Sequence, residues 1–260
     1  MKQRKNNNIT ETLLKAGSVL LVLVLILLWE ICSRAGILNP VVMPSPAKIL
    51  SSIGNLWKSG ALQKHILVSF KRVMTGYVAG AGLGILLGFV LSAIPALKEL
   101  TGFLLGLIRP IPPMALFPLF ILWMGIGETS KIVVIAFVSF WPTFLNTEEG
   151  VRQADRKLLE LAQVLKKSRI ERIRTIIFPA TLPYMFAGLR LSISRAWGGV
   201  VVAEMLAASS GIGFLIEYSR EMSMTANMMA GVIVIAVIGY LIDWLLKILH
   251  NKVCYWHQEE

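Results

Sequence analysis

The sequence predicts an all-α membrane protein with six transmembrane helices, and three observations predict it. Of its 260 residues, 55% are hydrophobic and 16% are charged, whereas a soluble domain carries about a quarter charged residues. The apolar residues lie in long runs: Ser18 to Trp29 is nearly unbroken, and Met228 to Leu246 is interrupted by one carboxylate, Asp243. The alternation of a membrane β-barrel is absent. A helix that crosses about 30 Å of hydrocarbon needs roughly 20 apolar residues. Its backbone groups must be satisfied within the segment, so such runs are helices.

The spans fall at about 14–33, 67–92, 100–124, 130–146, 184–207 and 228–248. They use near half the chain, and the loops left over are too short for a second globular domain. The whole of 1–260 is thus expected to be a single membrane domain. The first run follows Lys2, Arg4 and Lys5 as a signal peptide would, but its apolar core is long and Trp29 to Arg34 is a poor cleavage site. It reads as a retained span. Cys32 and Cys254 follow no metal or redox spacing, and no disulfide is expected.

Lys and Arg set the orientation. The stretch from Thr147 to Ile176 holds Arg152, Arg156, Lys157, Lys166, Lys167, Arg169, Arg172 and Arg174, and the N-terminal segment adds Lys2, Arg4, Lys5 and Lys15. The positive-inside rule places this side, with both termini, in the cytoplasm. Arg34, Lys48, Lys58 and Lys64 between the first two spans work against that count. Pro46 to Lys58 in the same loop reads as a short helix on the outer surface. The net charge of +11 is explained by these loops, and no nucleic-acid partner is expected; membrane lipid is.

In the second span Gly76, Gly80, Gly84, Gly88 and Ser92 recur every fourth residue, which lines them along one helix stripe. Small residues let helices approach closely, and packing holds helices together in lipid. A phosphate-binding loop at Gly80 to Gly84 is rejected, because no strand precedes it. The third span is broken by Pro110, Pro112, Pro113 and Pro118. Irregular backbone at membrane depth survives only inside protein or beside a water-filled cavity.

Asp155 to Pro183 reads as two short helices. Asp155 caps the first, whose apolar face is Leu158, Leu161, Ala162 and Leu165. Ser168 and Glu171 form a capping box for the second, which is expected to run from Arg169 to about Phe178 and stop before Pro179. Such a pair either docks a partner or rests on anionic lipid.

Here the chain resembles a family. Glu160-Leu161-Ala162, Ser168-Arg169 and Ile176-Ile177-Phe178-Pro179 look like the coupling-loop motif of ABC importer permeases. Met43-Pro44-Ser45-Pro46, Arg109-Pro110-Ile111-Pro112-Pro113, Trp123 to Glu128, Phe144 to Thr147, Ala203-Glu204-Met205 and Ser209 to Gly213 are similar to its nitrate/sulfonate/taurine branch. The resemblance covers about residues 40–250, with a family core at about 65–250 and a coupling loop at about 147–183. Leu161 replaces a small residue, Phe178 replaces a leucine, and Lys166 stands where the family has a glycine that ends the first short helix. That glycine usually adopts a left-handed conformation, which costs a residue with a Cβ about 1 kcal/mol.

The resemblance implies a type I ABC importer permease fold in a bacterial cytoplasmic (inner) membrane. It implies a homodimer, separate ATP-binding-cassette ATPase subunits, an extracytoplasmic solute-binding protein, and a small anionic solute of the sulfonate, taurine or nitrate kind. Glu160, Leu161, Ala162, Leu165, Lys166, Ser168, Arg169 and Pro179 become candidates for the ATPase-docking loop. The chain has no G-x-x-x-x-G-K-[ST] sequence, so ATP and Mg are expected to be used by the partner, and no cofactor or metal by this chain. The three histidines, His65, His250 and His257, lie in no catalytic motif, and no enzyme activity is expected.

Ionisable residues counted within the spans are Glu30, Arg109, Lys131, Arg190, Arg195, Glu204 and Asp243. Glu30 and Lys131 lie near span ends, where side chains can snorkel. For Arg109 and Glu204 the alternatives are a structural ion pair and a place on the solute pathway. An ion-coupled secondary transporter is the alternative function. It lacks support from an internal repeat, its usual sign.

Overall fold

The computed structural model describes residues 2–253, excepting the side chains of 2–16, Val19 and Pro95. Cys254 and His257 lie outside them. Among the described residues the protein is all helical: α1 (Lys2–Arg34), α2 (Pro46–Lys58), α3 (Ala61–Ala93), α4 (Pro95–Ile108), α5 (Pro113–Met124), α6 (Glu128–Arg152), α7 (Arg156–Val164), α8 (Arg169–Arg172), α9 (Phe178–Ala207), α10 (Ile212–Glu221) and α11 (Thr225–Val253). Four stretches are single helices long and apolar enough to cross a membrane: Ala61–Ala93, Glu128–Arg152, Arg169–Ala207 and Thr225–Val253. Ala96–Ile108 and Pro113–Met124 are bent by 96° at their junction. The third span is therefore two helices and not a kinked one. Pro110, Pro112 and Pro113 remove three backbone donors within four residues, and the ladder cannot run through them.

The chain forms two compact units, one from residues up to Leu62 with Leu215–Ile233, the other from Gln63–Phe214 with residues from Val234 onward. In the first, α2 starts from Ser45, whose side chain accepts the Lys48 amide, with Pro46 in the first turn, where a missing N–H is harmless. Glu30 accepts from the Ala47 amide at 3.0 Å, and Ser52 donates to Asn227 at 2.6 Å. Glu30 thus tethers α2 with one carboxylate oxygen and pairs with Arg34 through the other, at 2.6 Å. Cys32 is a free thiol.

In the second unit α6 and α9 form the main helix pair. Gly188 lies against Pro142 and Asn146, and Gly150 against Thr181 and Tyr184. Thr143 and Ser192 share a 2.6 Å hydroxyl contact in the seam, and Ser192 also donates to the Ser139 carbonyl. The glycines of α3 face α6. A Cβ on Gly80 would lie 2.1 Å from the Ala136 carbonyl oxygen, on Gly76 2.6 Å from Ile135 Cβ, on Gly84 2.8 Å from the Phe140 oxygen, and on Gly88 2.7 Å from Thr147 Cβ. A Cβ on Gly82 would meet nothing within 4 Å. At Gly80 and Gly84 the α3–α6 contact is thus backbone on backbone, and at Gly76 and Gly88 the α3 backbone meets the side chains of Ile135 and Thr147. Dispersion supplies its attraction in lipid, where the hydrophobic effect supplies little. In the same unit α11 accepts from the Trp197 indole at the Ile235 carbonyl, 2.8 Å away. Arg190 clasps Asp243 through both carboxylate oxygens at 2.6 and 2.7 Å.

The second loop helix does not stop before Pro179. α8 runs into a π-helical turn, Ile173–Ile177, and then directly into α9, with Pro179 in its first turn. Proline ends a helix by lacking a donor and clashing with the preceding turn. The wider π turn makes room for it, and the helix continues.

Candidate functional site

Two regions carry the candidate residues. The first is the loop around α7. Asp155 accepts from the Lys157 amide at 2.8 Å and starts the helix. Ala162 is buried, whereas Leu158, Glu160, Leu161 and Leu165 are exposed, so most of the apolar face has no cover among the described residues. The helix ends in a Schellman motif: the Lys166 amide bonds the Gln163 carbonyl and the Lys167 amide bonds the Ala162 carbonyl, both at 2.9 Å. That motif needs a left-handed residue, and Lys166 takes it at φ 51°. Ser168 and Glu171 close the capping box, with bonds of 3.2 and 2.7 Å. Arg169 reaches back to the Ala93 carbonyl at the end of α3, 2.7 Å away. A cavity of about 420 Å³ lies between the start of α7 and the π turn, lined by Asp155, Leu158, Thr175, Pro179 and Tyr184 among others.

The second region is a buried polar network. Glu204 is fully buried in α9. It accepts from Arg72 Nη1 at 2.8 Å, from Ser69 Oγ at 2.8 Å and from the Gly213 amide at 2.9 Å. Arg72 continues outward. Its Nη1 also donates to the Ser210 carbonyl at 2.6 Å, and its Nε and Nη2 grip Glu128, each at 2.6 Å. Lys131 adds a 3.2 Å contact to Glu128. Ser69 accepts the Ile212 amide at 2.8 Å, and His65 Nδ1 accepts the Gly211 amide at 3.0 Å. The turn between α9 and α10 is thereby fastened to α3 at several points. Gly211 wraps the carboxylate at φ 116°, and a Cβ there would fall 2.2 Å from Glu204 Cδ. Only glycine fits both constraints.

Glu204 is therefore ion-paired, but its partner is Arg72. Arg109 stands apart, exposed at the C-terminal cap of α4. Lys131 does not snorkel; it is buried in the network. Neither Arg72 nor Ser69 is singled out from the sequence; Glu128 stands in it only within the Trp123 to Glu128 family motif, and His65 only as a histidine outside any catalytic motif. Lys71-Arg72 inside the second span was a usable signal, since an ionisable residue at that position needs a partner. Its proximity to the span end disguised it as a flanking charge.

Residues 80–254 match the family described as binding-protein-dependent transport system inner membrane component. The chain belongs to this family. Among its relatives, the putative aliphatic sulfonates transport permease protein SsuC of Bacillus subtilis (strain 168) is 38% identical over 92% of this chain and 86% of its own length. The taurine transport system permease protein TauC of Escherichia coli (strain K12) is 31% identical over 91% of this chain and 88% of its own. An amino acid ABC transporter chain crystallised with histidines superposes with a TM-score of 0.62 at 14% identity, covering 78% of this chain and 97% of that one. The fold is that of ABC importer permeases, and the protein is a multi-pass ABC importer permease. Family membership sets aside the ion-coupled alternative.

Proposed function

We propose that this permease passes a small anionic solute, of the alkanesulfonate or taurine type, into the cell. The observation that carries the reading is the 38% identity to the Bacillus subtilis sulfonates permease over most of both chains. In this reading two copies of the chain line one pathway. A solute-binding protein delivers from outside, and two ATPase subunits beneath use ATP and Mg. Both termini and α7 lie in the cytoplasm, as the Lys and Arg of the 147–183 loop favour. The exposed leucines of α7 then enter a groove on the ATPase, with Glu160 at its rim. Closure of the ATPase pair moves α7, and the rigid α3–α6–α9 packing carries that movement into the membrane. Arg109 is exposed at the bend between α4 and α5, and in this reading it meets the anion in the pathway.

The test is reconstitution with the ATPase and the binding protein in proteoliposomes. ATP-driven accumulation of a radiolabelled alkanesulfonate or taurine is expected, and accumulation of neither refutes the substrate class. Glu160→Lys is expected to lower both uptake and solute-stimulated ATP hydrolysis several-fold, because it reverses a charge at a docking rim. Unchanged coupling in that variant refutes the docking role of α7.

A further inference from the structure

Glu128 is the first residue of α6, and its carboxylate fills the fork of Arg72 through two 2.6 Å bonds while Lys131 approaches the same carboxylate at 3.2 Å. The two cations are almost covered: the side chain of Arg72 is 4% exposed and that of Lys131 5%, yet that of Glu128 is 59% exposed. The group that neutralises two buried cations is itself at the surface. Glu204, on the far side of Arg72, is locked by Ser69 and Gly213 and cannot leave. Glu128 differs, because it follows Gly125-Ile126-Gly127, and Gly125 turns the chain at φ 80°.

The charges of Arg72, Lys131, Glu128 and Glu204 sum to zero. With Glu128 swung outward, the site keeps one net positive charge, a planar two-donor fork and an ammonium group. A guanidinium fork matches two oxygens of an oxyanion, and an ammonium takes a third as a point charge. A monoanion restores neutrality, whereas a dianion leaves an excess negative charge beside buried Glu204. The exchange of one oxyanion for another never leaves the buried cations bare, so the large cost of an unpaired buried charge is avoided. Such a site binds and releases readily, as a transfer step requires.

We propose that Arg72 and Lys131 form a transfer site for a sulfonate-type monoanion, with the Glu128 carboxylate as its built-in occupant, displaced by the solute. The site deepens the function proposed above and rests on it for the source of the anion.

The experiment uses the full chain in lipid nanodiscs, titrated at constant ionic strength with methanesulfonate, sulfate and the neutral isostere dimethyl sulfone. Methanesulfonate is expected to bind Glu128→Gln at least about tenfold more tightly than the wild type, because a neutral amide competes poorly for the two cations. The gain is expected to vanish in Glu128→Gln/Lys131→Gln. Sulfate is expected to bind more weakly than methanesulfonate, and dimethyl sulfone not at all. Equal affinity of wild type and Glu128→Gln, or a gain that survives loss of Lys131, overturns the site; equal affinity for sulfate overturns the monoanion preference. Should Glu128→Gln fail to fold, thermal stabilisation by methanesulfonate is compared between the wild type and Lys131→Gln. Equal stabilisation overturns the site, and loss in Lys131→Gln supports it. Uptake in proteoliposomes is read in parallel. Wild-type uptake of sulfonate without the titration difference removes this site alone, whereas absence of uptake removes the functional reading and leaves the titration to decide the site.

Discussion

Arg72 Nη1 lies 2.8 Å from Glu204 Oε1, joining α3 to α9 across 132 residues of chain in an environment where Glu204 has no exposed surface. Removing one member of a buried pair strands the other and costs about 3–5 kcal/mol. Arg72→Met strands the buried Glu204 and is expected to lower the melting temperature strongly, whereas Glu204→Leu leaves Arg72 its two bonds to Glu128 and is expected to lower it less. The double variant is expected to recover much of the loss, since no charge is then stranded. A double variant whose loss equals the sum of the single losses would show that the two residues act independently.

The α3–α6 contact yields a contrast between neighbours in sequence. Gly80→Ala drives a methyl into the Ala136 carbonyl and is expected to cost at least about 1–3 kcal/mol. Gly82→Ala meets open space and is expected to be neutral or to stabilise by up to about 1 kcal/mol through helix propensity. Thermal unfolding of both in the same detergent checks this, and similar melting temperatures would count against the packing account.

Lys166 sits left-handed at the end of α7. Lys166→Gly is expected to relieve about 1 kcal/mol of strain, offset in part by the greater entropy of glycine in the unfolded loop. Amide hydrogen exchange at residues 166 and 167 reports the turn directly. Slower exchange is the expected result, and faster exchange refutes the strain argument.

Arg190 and Asp243 hold α9 and α11 together through two bonds. Arg190→Leu leaves a carboxylate in an apolar span, at a cost of about 2.5–3.5 kcal/mol for an aspartate at the helix centre. The yield of folded protein is expected to fall and to recover in Arg190→Leu/Asp243→Leu. No recovery would mean that Arg190 serves another partner.

The helices were readable because lipid leaves few alternatives: long apolar runs in α3, α6, α9 and α11 have no other way to satisfy their backbones. Gly76 to Gly88 could be aligned on one stripe from spacing alone, but which helix they face could not. Partner choice is tertiary, and every apolar helix presents much the same surface to a reader of sequence. The continuity through Pro179 was hidden because proline ordinarily stops a helix, and the π turn that accommodates it has no sequence signature. The Arg72–Glu204–Glu128 network was missed for a related reason. Its members come from three distant segments, and Lys71-Arg72 looks like a flank when each span is weighed alone. Glu204 was marked as costly, yet its cost could not name the residue that offsets it.

The spacing of that pair along the chain bears on biogenesis. Arg72 leaves the ribosome 56 residues ahead of Glu128 and 132 ahead of Glu204, so α3 begins to enter the bilayer while its counter-charges are still unmade. A lone arginine at a helix centre disfavours insertion by about 2.5–3.5 kcal/mol. Arg72 lies about a third of the way along α3, where it can stretch towards the headgroups while the long apolar remainder of the helix holds in place. The emergence of α9 then draws the guanidinium inward. Assembly of this unit is thus completed late in translation: nascent chains that end before Glu128 leave Arg72 without a counter-charge, and those that end before Glu204 hold it only through the exposed Glu128.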